Sequence, residues 1–512
     1  MQFAPEFLAK FSHLIIAVLS CFDRVIFRGY LPFRSEEQLH QFVDRVLGIR
    51  RVDFIPWLKE NSEKLIEHAK QLAARCGRPY VYRQGRFRKE DYIAELIRQD
   101  RLSEGLVAVL CVQETCRTVK LRYGNGRPRL AFTKRPQRVL YYYWLDKNFG
   151  LIYVRLQTWF PYTIQVYVNG HERLARQMER AGLSFVKHDN AFLSLEDPQR
   201  AQKMADAFAR INWVKQLNRW ARQVNPLIHA RGPLARFGYY WVTEQAEYST
   251  DIIFRSPEAL RHLYPRLLQH AALNFSANDI LSFLGRKLHG NFQGEVLTSL
   301  QKKRWPGARI KHRIKENWLK MYDKFALVLR IETVINQPRE FRVWRPCQRN
   351  GQEQMAWCPM NKGVANLRHY LRVARSANQR YLEALAVVAD PAPAYRQVRE
   401  LARSKRCAGR SYAGFNPACP EDVKLFQAVL CGDHLIHGFR NADIRRHLWS
   451  ETKDPAQRRR QANRVTRLLK RLHVRGLTAK IPHTRRWRVT RKGQKLLGAI
   501  IQLHYHGLPE AA

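Results

Sequence analysis

The sequence predicts an α+β protein: two sheet-plus-helix units with antiparallel sheets, followed by a separate basic C-terminal domain. Two observations indicate this. The hydrophobic spacing alternates between helical and strand periods along most of the chain, and a loop rich in Gly, Ser, Pro and Cys then runs from Arg406 to Pro420. A chain of 512 residues, 45% of them hydrophobic, is also too long for one core. We therefore expect domains at 1–225, 226–405 and 421–506.

The first unit begins with an apolar run, Leu14 to Phe22, which charged residues follow directly. This pattern favours a buried strand over a signal peptide. Helical spacing follows in three segments, 35–48, 57–76 and 89–98. Strand-like runs then occupy 106–112, 118–122, 139–144, 151–158 and 164–168. Short strands in succession predict an antiparallel meander, and helical spacing at 170–181 and 198–224 closes the unit.

The second unit repeats this order of elements without a residue-level repeat. Strand-like runs are found at 239–242, 249–254, 309–313, 319–324, 327–335 and 341–344. Helical spacing occupies 257–272, 277–284 and 361–386. We expect the two units to share a topology, each a sheet with helices on one face.

The charge of the chain predicts a polyanionic partner. Lys and Arg number 90 against 43 Asp and Glu, which gives a formal net charge of +47. The excess positive charges repel one another in the folded protein, and a bound polyanion would neutralise them. Because the basic residues are spread along the whole chain, nucleic acid fits them better than an anionic membrane does. No segment reaches the roughly 20 apolar residues of a membrane-spanning helix. We predict a nucleic-acid partner, no membrane, and an unknown oligomeric state.

The cysteines predict a reducing compartment. The chain has 9 of them, with no Cys-x-x-Cys pair and irregular spacing. This argues against a disulfide framework and favours a cytoplasmic location.

The C-terminal segment, Glu421 to His506, contains helical patterns at 423–430, 442–448 and 455–474. Two short strands, 477–481 and 487–490, and a last helix follow. This order resembles the winged helix-turn-helix family, and the segment from Gly476 to Gly493 is similar to the wing of MarR-type regulators. Residues 440–495 contain 19 Lys and Arg and only three acids. The resemblance implies that the helix starting at Pro455 is a recognition helix in the major groove, with the wing on the flanking backbone.

The residues expected to bind nucleic acid lie on this helix, on the wing and on one strand of the second unit. They are Arg458, Arg459, Arg460, Arg464 and Arg467 on the helix, Arg485, Arg486 and Arg488 on the wing, and Arg309, Lys311 and Arg313 on the strand. The last three alternate with other residues, so they lie on one strand face, where they can follow a phosphate backbone. Duplex DNA is the favoured ligand and RNA the alternative.

A resemblance in residues 309–335 raises the alternative of an enzyme. The pattern Tyr322-Asp323-Lys324 followed by Arg330-x-Glu332 is similar to a strand pair of phage and plasmid rolling-circle replication initiators. It implies that Tyr322 attacks a DNA phosphate and that Asp323 or Glu332 holds a divalent metal. The His-hydrophobic-His metal motif of that family is missing from the two units. For the favoured DNA-binding function as well, we expect a protein of a mobile element or replicon.

A second catalytic hypothesis uses acids on three strands, Asp23, Asp251 and Glu332. Carboxylates on neighbouring strands can hold two Mg²⁺ for phosphoryl transfer, as in RNase H-like transposases. The site would then comprise Tyr322, Glu332 and Asp251 as catalytic residues and Asp251, Asp323 and Glu332 as metal ligands. The competing interpretation is structural, with Glu332 paired to Lys320, Lys324 or Arg330. No cofactor is predicted apart from Mg²⁺ or Mn²⁺ in the catalytic case.

Overall fold

The computed structural model describes residues 5–506 except 34, 86, 125–126, 287–295, 302–307, 350, 389–394, 453 and 483. Its architecture is α+β, as the sequence predicts. No helix among the described residues is both long and apolar enough to cross a membrane.

The strands differ in length from a few residues to twenty. In chain order they are β1 (Ile15–Tyr30), β2 (Tyr80–Arg83), β3 (Gly105–Gly124), β4 (Arg127–Asp146), β5 (Gly150–Gln157), β6 (Ile164–Asn169), β7 (Phe185–His188), β8 (Ala191–Leu195), β9 (Tyr240–Phe254), β10 (Val296–Gln301), β11 (Arg309–Ile314), β12 (Asn317–Lys324), β13 (Val328–Ile335), β14 (Arg342–Arg349), β15 (Gln352–Pro359), β16 (Lys405–Cys407), β17 (Arg410–Tyr412), β18 (Thr478–Lys480) and β19 (Trp487–Val489).

The helices are mostly amphipathic and have between six and 22 residues. In chain order they are α1 (Pro5–Phe11), α2 (Glu36–Gln41), α3 (Phe54–Arg75), α4 (Lys89–Gln99), α5 (Gly170–Arg180), α6 (Pro198–Ala207), α7 (Trp213–Val224), α8 (Pro257–Leu273), α9 (Ala277–Phe283), α10 (Leu367–Leu385), α11 (Tyr395–Ala402), α12 (Pro420–Val429), α13 (Gly432–His437), α14 (Asn441–Leu448), α15 (Pro455–Val474) and α16 (Arg491–His506).

The largest sheet is mixed and has eleven strands, which corrects the expectation of two antiparallel sheets. Strand β2 pairs in parallel with β3, because helix α4 lies between them in the chain and provides the crossover that a parallel pairing requires. The other described pairings of this sheet are antiparallel. Four two-stranded sheets, β7-β8, β14-β15, β16-β17 and β18-β19, complete the strand structure.

The chain divides into two compact units by contact. Unit I comprises Met1–Val18, Thr250–Thr333 and Val373–Ala512, and unit II comprises Leu19–Ser249 and Val334–Arg372. These ranges differ from 1–225, 226–405 and 421–506, which remain a prediction about independently folding parts.

Unit II contains the strand order β9-β1-β6-β5-β4-β3-β2. Its hairpin β3-β4 is longer than the separate strands expected, because polar residues in its middle still pair across strands. Glu114, for example, accepts hydrogen bonds from Lys89, Arg155 and Tyr141. Helix α4 packs over a cluster on one face that includes Tyr141. Local sequence controls the helix ends: a capping box between Ser35 and Gln38 starts α2.

Unit I contains the order β10-β11-β12-β13-β9. One face of this part is covered by helices: His312 of β11 hydrogen-bonds the hydroxyl of Tyr381 in α10, and Thr333 of β13 donates to Asn378 of the same helix. A second core joins α12, α14, α15, β18, β19 and α16 in the C-terminal segment. Val465, Leu469 and Leu472, which recur at helical spacing in α15, belong to this C-terminal core.

Candidate nucleic-acid interface and carboxylate sites

Helix α15 separates apolar and basic residues on opposite sides. Val465, Leu469 and Leu472 recur at helical spacing and are buried in the C-terminal core. Arg460, Arg464 and Arg467 recur at the same spacing about half a turn away and are exposed, as are the predicted Arg458 and Arg459. The apolar stripe thus orients Arg460, Arg464 and Arg467 toward solvent. Arg458 lies seven residues before Val465, on the side of the stripe, and is exposed at the start of the helix.

The position of these five arginines is electrostatically unfavourable, because their like charges lie close together on one helix. Three of them, Arg458 to Arg460, lie in the first turns of α15, where the helix dipole presents its positive end. Asp454 caps that end by accepting hydrogen bonds from Ala456 and Gln457. Among the described residues no ion pair involves any of the five, so an external anion would relieve their repulsion.

A depression of about 110 Å³ lies beside the start of α15. Arg445 and Arg446 of α14 line it together with Arg458 and Trp449. The guanidinium of Arg464 lies 5.6 Å from the centre of the Trp449 ring, which holds this arginine near the same place. Residues of two successive helices therefore contribute to one basic surface.

The three predicted wing arginines on the hairpin β18-β19 differ in solvent exposure. Arg485 and Arg488 are exposed. Arg486 is half-buried, and its Nη1 donates to the carbonyl oxygens of His437 and Gly438 at 3.0 and 3.1 Å. Phe439 and Trp487 exchange backbone hydrogen bonds of 2.7 and 2.8 Å, which fixes the hairpin to the start of α14. Arg486 therefore has a structural contact in addition to its predicted role.

Two basic residues near the end of α15, Arg471 and Arg475, bond to other parts of the chain. Arg475 is 6% exposed, and its Nη2 donates to the carbonyls of Arg403, Tyr412 and Ala413. Arg471 donates to Ala413 and stacks 4.0 Å from the Phe415 ring centre. The sequence shows a uniform basic helix, and only the tertiary contacts separate these residues from the exposed arginines.

Strand β11 presents its predicted basic residues on one face. Ile310, His312 and Ile314 are buried, while Arg309, Lys311 and Arg313 are half-buried or exposed between them. Neighbouring aromatic rings hold two of these cations: Lys311 lies 3.6 Å from the Trp318 ring centre, and Arg309 lies 6.0 Å from that of Tyr322. This face of unit I combines cations and aromatics, the two groups that single-stranded nucleic acids contact.

Glu332 and Tyr322 meet on the same face of unit I. The Nζ of Lys320 lies 2.7 Å from Glu332 Oε2, and both side chains are buried. The Tyr322 hydroxyl donates to the same oxygen at 3.3 Å. Glu332 thus forms the cross-strand ion pair that the strand pattern allows. A lysine at this distance already neutralises the carboxylate that the nicking hypothesis assigns to a metal.

The other two predicted acids also have structural partners. Both oxygens of Asp251 accept hydrogen bonds of 2.6 Å from Arg330, in a buried bidentate pair. Asp323 accepts a hydrogen bond of 2.8 Å from the backbone of Ala326 in the turn after β12. Burial raises the pKa of Asp323 to about 6. A divalent cation at Asp251 would have to displace the guanidinium.

Unit II contains a carboxylate pair of which the sequence pattern indicated only one member. Asp23 of β1 and Glu247 of β9 are 5% and 8% exposed, and one oxygen of each lies within 4.8 Å of the other. Nδ2 of Asn190 donates to both Asp23 oxygens at 2.7 Å. Glu247 was missed because the mostly polar run 243–247 interrupts the apolar pattern, whereas β9 continues through it.

A histidine and a serine extend this carboxylate pair. His171, the second residue of α5, places Nδ1 3.4 Å from Asp23 Oδ1, and its Nε2 lies 3.5 Å from the Ser249 hydroxyl. The order Ser, His, Asp resembles that of a nucleophilic triad. However, Ser249 and His171 are both 0% exposed, so no substrate reaches the hydroxyl in this conformation. The carboxylates and the imidazole are more suitable as ligands of a small cation.

Comparison of the chain with family models, with the sequences of characterised proteins and with solved structures finds no match.

Proposed function

We propose that this protein binds duplex DNA through a winged helix formed by residues 421–506. The observation that carries the proposal is the exposed arginine face of α15, opposite the stripe that packs into the C-terminal core. Arg458, Arg459 and Arg460 occupy the N-terminal turns, where a recognition helix approaches the major groove. The element order α12, α13, α14, α15, β18, β19, α16 supports the same assignment, with α13 as a short additional helix.

In this proposal α14 and α15 are the two helices of the helix-turn-helix. Asn441, at the start of α14, donates through Nδ2 to Ala462 and Thr466 of α15 at 2.8 and 2.9 Å. This contact fixes the crossing of the two helices, and therefore the orientation of the arginines. Arg485 and Arg488 then lie on the hairpin, available for the flanking backbone.

Counterion release gives a direct test with the full-length chain. Each phosphate neutralised contributes about 0.9 to the slope of log K against log salt. Replacing Arg458, Arg459, Arg460 and Arg464 with Ala should therefore reduce the magnitude of that slope by about 3 to 4. Fluorescence anisotropy with a labelled duplex, over a series of salt concentrations, measures it.

The matched control removes the same charge elsewhere. Arg75, Arg83, Arg127 and Arg129 are exposed arginines of unit II. Their replacement with Ala should leave the slope close to that of the wild type. Equal slopes for the two variants would refute the proposed interface. If the wild type and the control variant bind structured RNA more tightly than duplex DNA, the ligand is RNA.

A second candidate function rests on Asp23 and Glu247 in unit II. Two buried carboxylates in close approach repel each other, and a divalent cation relieves that repulsion. His171 offers a further donor beside Asp23. Arg24 competes for this role: burial lowers the pKa of its guanidinium, and Glu247 with other neighbours raises it above the usual value. Asp23 and Glu247 are 5% and 8% exposed, so a phosphodiester reaches them only after the surrounding residues move. With Mg²⁺ or Mn²⁺ bound, the opened site would support hydrolysis, in which water attacks phosphorus and the leaving oxygen takes a proton.

Nicking of supercoiled DNA in Mg²⁺ or Mn²⁺ tests this second candidate. Asp23→Asn and Glu247→Gln should each abolish the nicked product if the site is catalytic. Glu244→Gln is the matched control, because Glu244 lies on the same strand and pairs with Arg28 instead. Nicking that survives both variants, or that is absent from the wild type, would exclude the activity.

A further inference from the structure

Three metal-ligating side chains meet at the start of the C-terminal segment of unit I. Cys431 directly precedes α13, His434 lies within that helix, and His447 lies in α14. One ligand atom of each residue lies within 4.8 Å of the other two. Cys431 and His434 are buried, and His447 is exposed. The Cys-x-x-His spacing places the first two on one turn, and the fold adds the third from the next helix.

A hydrogen bond fixes which nitrogen of His434 is available. Its Nδ1 lies 2.6 Å from the carbonyl oxygen of Ala428. A carbonyl accepts, so Nδ1 carries the proton and Nε2 keeps a free lone pair. The His447 ring lies edge-to-face with the His434 ring, with their centres 5.2 Å apart. A backbone carbonyl on the far nitrogen is the usual support of a metal-bound histidine.

The carboxylate of Asp279 lies next to the thiol. Cys431 Sγ donates to Asp279 Oδ1 at 3.0 Å, and the backbone N–H of Asp433 donates to the same oxygen at 2.5 Å. The other oxygen accepts from the backbone and the hydroxyl of Ser276, both at 2.8 Å. Asp279 is therefore held rigidly, beside the atom that must lose a proton before it can bind a metal.

We propose that Cys431, His434 and His447 bind one Zn²⁺. A thiolate and two imidazoles form a donor set that tetrahedral zinc prefers, and Asp279 or a water molecule can provide the fourth donor. On binding, the S–H bond of Cys431 breaks, the sulfur–zinc bond forms, and the proton leaves to solvent through Asp279. Zinc would tie α13 to α14, the helix that precedes α15.

The cluster is open to solvent on one side, because His447 is exposed while Cys431 and His434 are buried. A cavity of about 250 Å³, lined by Cys431 and His447 among others, provides a path for the ion.

Cobalt titration of the full-length chain, after treatment with a chelator, tests the proposal. The wild type should show a thiolate-to-cobalt charge-transfer band that saturates at one equivalent of Co²⁺, and Zn²⁺ should displace it. Cys431→Ser should abolish the band. Cys76→Ser and Cys407→Ser are matched controls, because both cysteines are exposed and lie apart from the cluster; each should retain the full band.

A gain-of-ligand variant keeps the test decisive if Cys431→Ser destabilises the fold. His447→Cys supplies a second thiolate and should keep one equivalent of Co²⁺ while increasing the band about two-fold. An unchanged band would place His447 outside the site. A wild-type protein without the band, or a band that persists in Cys431→Ser, would overturn the proposal.

Discussion

Arg330 and Asp251 form a bidentate ion pair inside unit I, with both hydrogen bonds at 2.6 Å and neither side chain exposed by more than 1%. Arg330 is the largest fully buried side chain of the protein's described part. A guanidinium in this position is stable only if its charge is balanced, because moving an ion out of water costs several kcal/mol. The pair therefore explains why an acid stands on β9 in so basic a chain.

We expect the removal of either partner alone to destabilise unit I strongly. Arg330→Met and Asp251→Asn should each lower the free energy of unfolding by about 3 to 5 kcal/mol, since the remaining charge stays buried. The double variant Arg330→Met/Asp251→Leu should lose less than the sum of the two. Denaturant unfolding followed by circular dichroism measures these differences. Arg50→Met, at an exposed pair with Asp53, is the control and should cause no measurable change.

A buried histidine predicts a loss of stability in acid. Burial lowers the pKa of His312 from 6.5 to about 4, and its neutral ring bonds Tyr381 and Thr298. Its folded pKa lies below the unfolded one, so the stabilisation is complete above pH 6.5 and is lost as the pH falls toward 4. This corresponds to about 3 kcal/mol. His312→Gln should flatten the decline between these pH values, measured as melting temperature.

A second buried histidine should cause part of the acid-induced loss of stability that remains in His312→Gln. Burial also lowers the pKa of His270 to about 4, so this residue contributes in the same window. The double variant His312→Gln/His270→Gln should therefore be flatter still. Parallel curves for the wild type and both variants would show that neither histidine controls the acid stability.

Arginines of the C-terminal segment should separate into two classes. Arg475→Met removes four hydrogen bonds to carbonyls and should lower stability by about 1 to 3 kcal/mol without changing the salt dependence of DNA binding. Arg467→Ala should have the opposite effect: unchanged melting temperature and a slope smaller by about 0.9. Thermal unfolding and anisotropy titrations on the same samples compare the two. A reversal of this pattern would contradict the assignment of the exposed face.

Gly438 should be intolerant of a side chain. Its φ is +66°, and a Cβ placed there would lie 2.6 Å from the Trp487 carbonyl oxygen and 2.9 Å from Ile481. Gly438→Ala should displace the hairpin β18-β19 and weaken duplex binding as well as stability. Gly77→Ala is the control: its φ is +62°, but no atom lies within 4 Å of the added carbon. The difference between the two variants measures the contact separately from the backbone strain.

Local patterns in the sequence determined most elements of the C-terminal segment, though not helix α13, and the face of β11. The spacing of Val465, Leu469 and Leu472 predicted both the extent of α15 and the side on which its arginines lie. Strand alternation likewise predicted that Arg309, Lys311 and Arg313 share one face. Such predictions succeed because helix and strand periods depend on neighbouring residues alone.

Partners distant in the chain were decided only by the tertiary structure. The sequence alone suggested Asp251 as a metal ligand, but in the fold it pairs with Arg330 of β13. Glu247 becomes a candidate ligand only because its strand places it next to Asp23 of β1. Cys431 and His434 are close in sequence, but the crossing of α13 and α14 adds His447. Burial, charge pairing and ligand geometry are properties of this packing, and a periodic pattern of residue types carries no information about which strands or helices become neighbours.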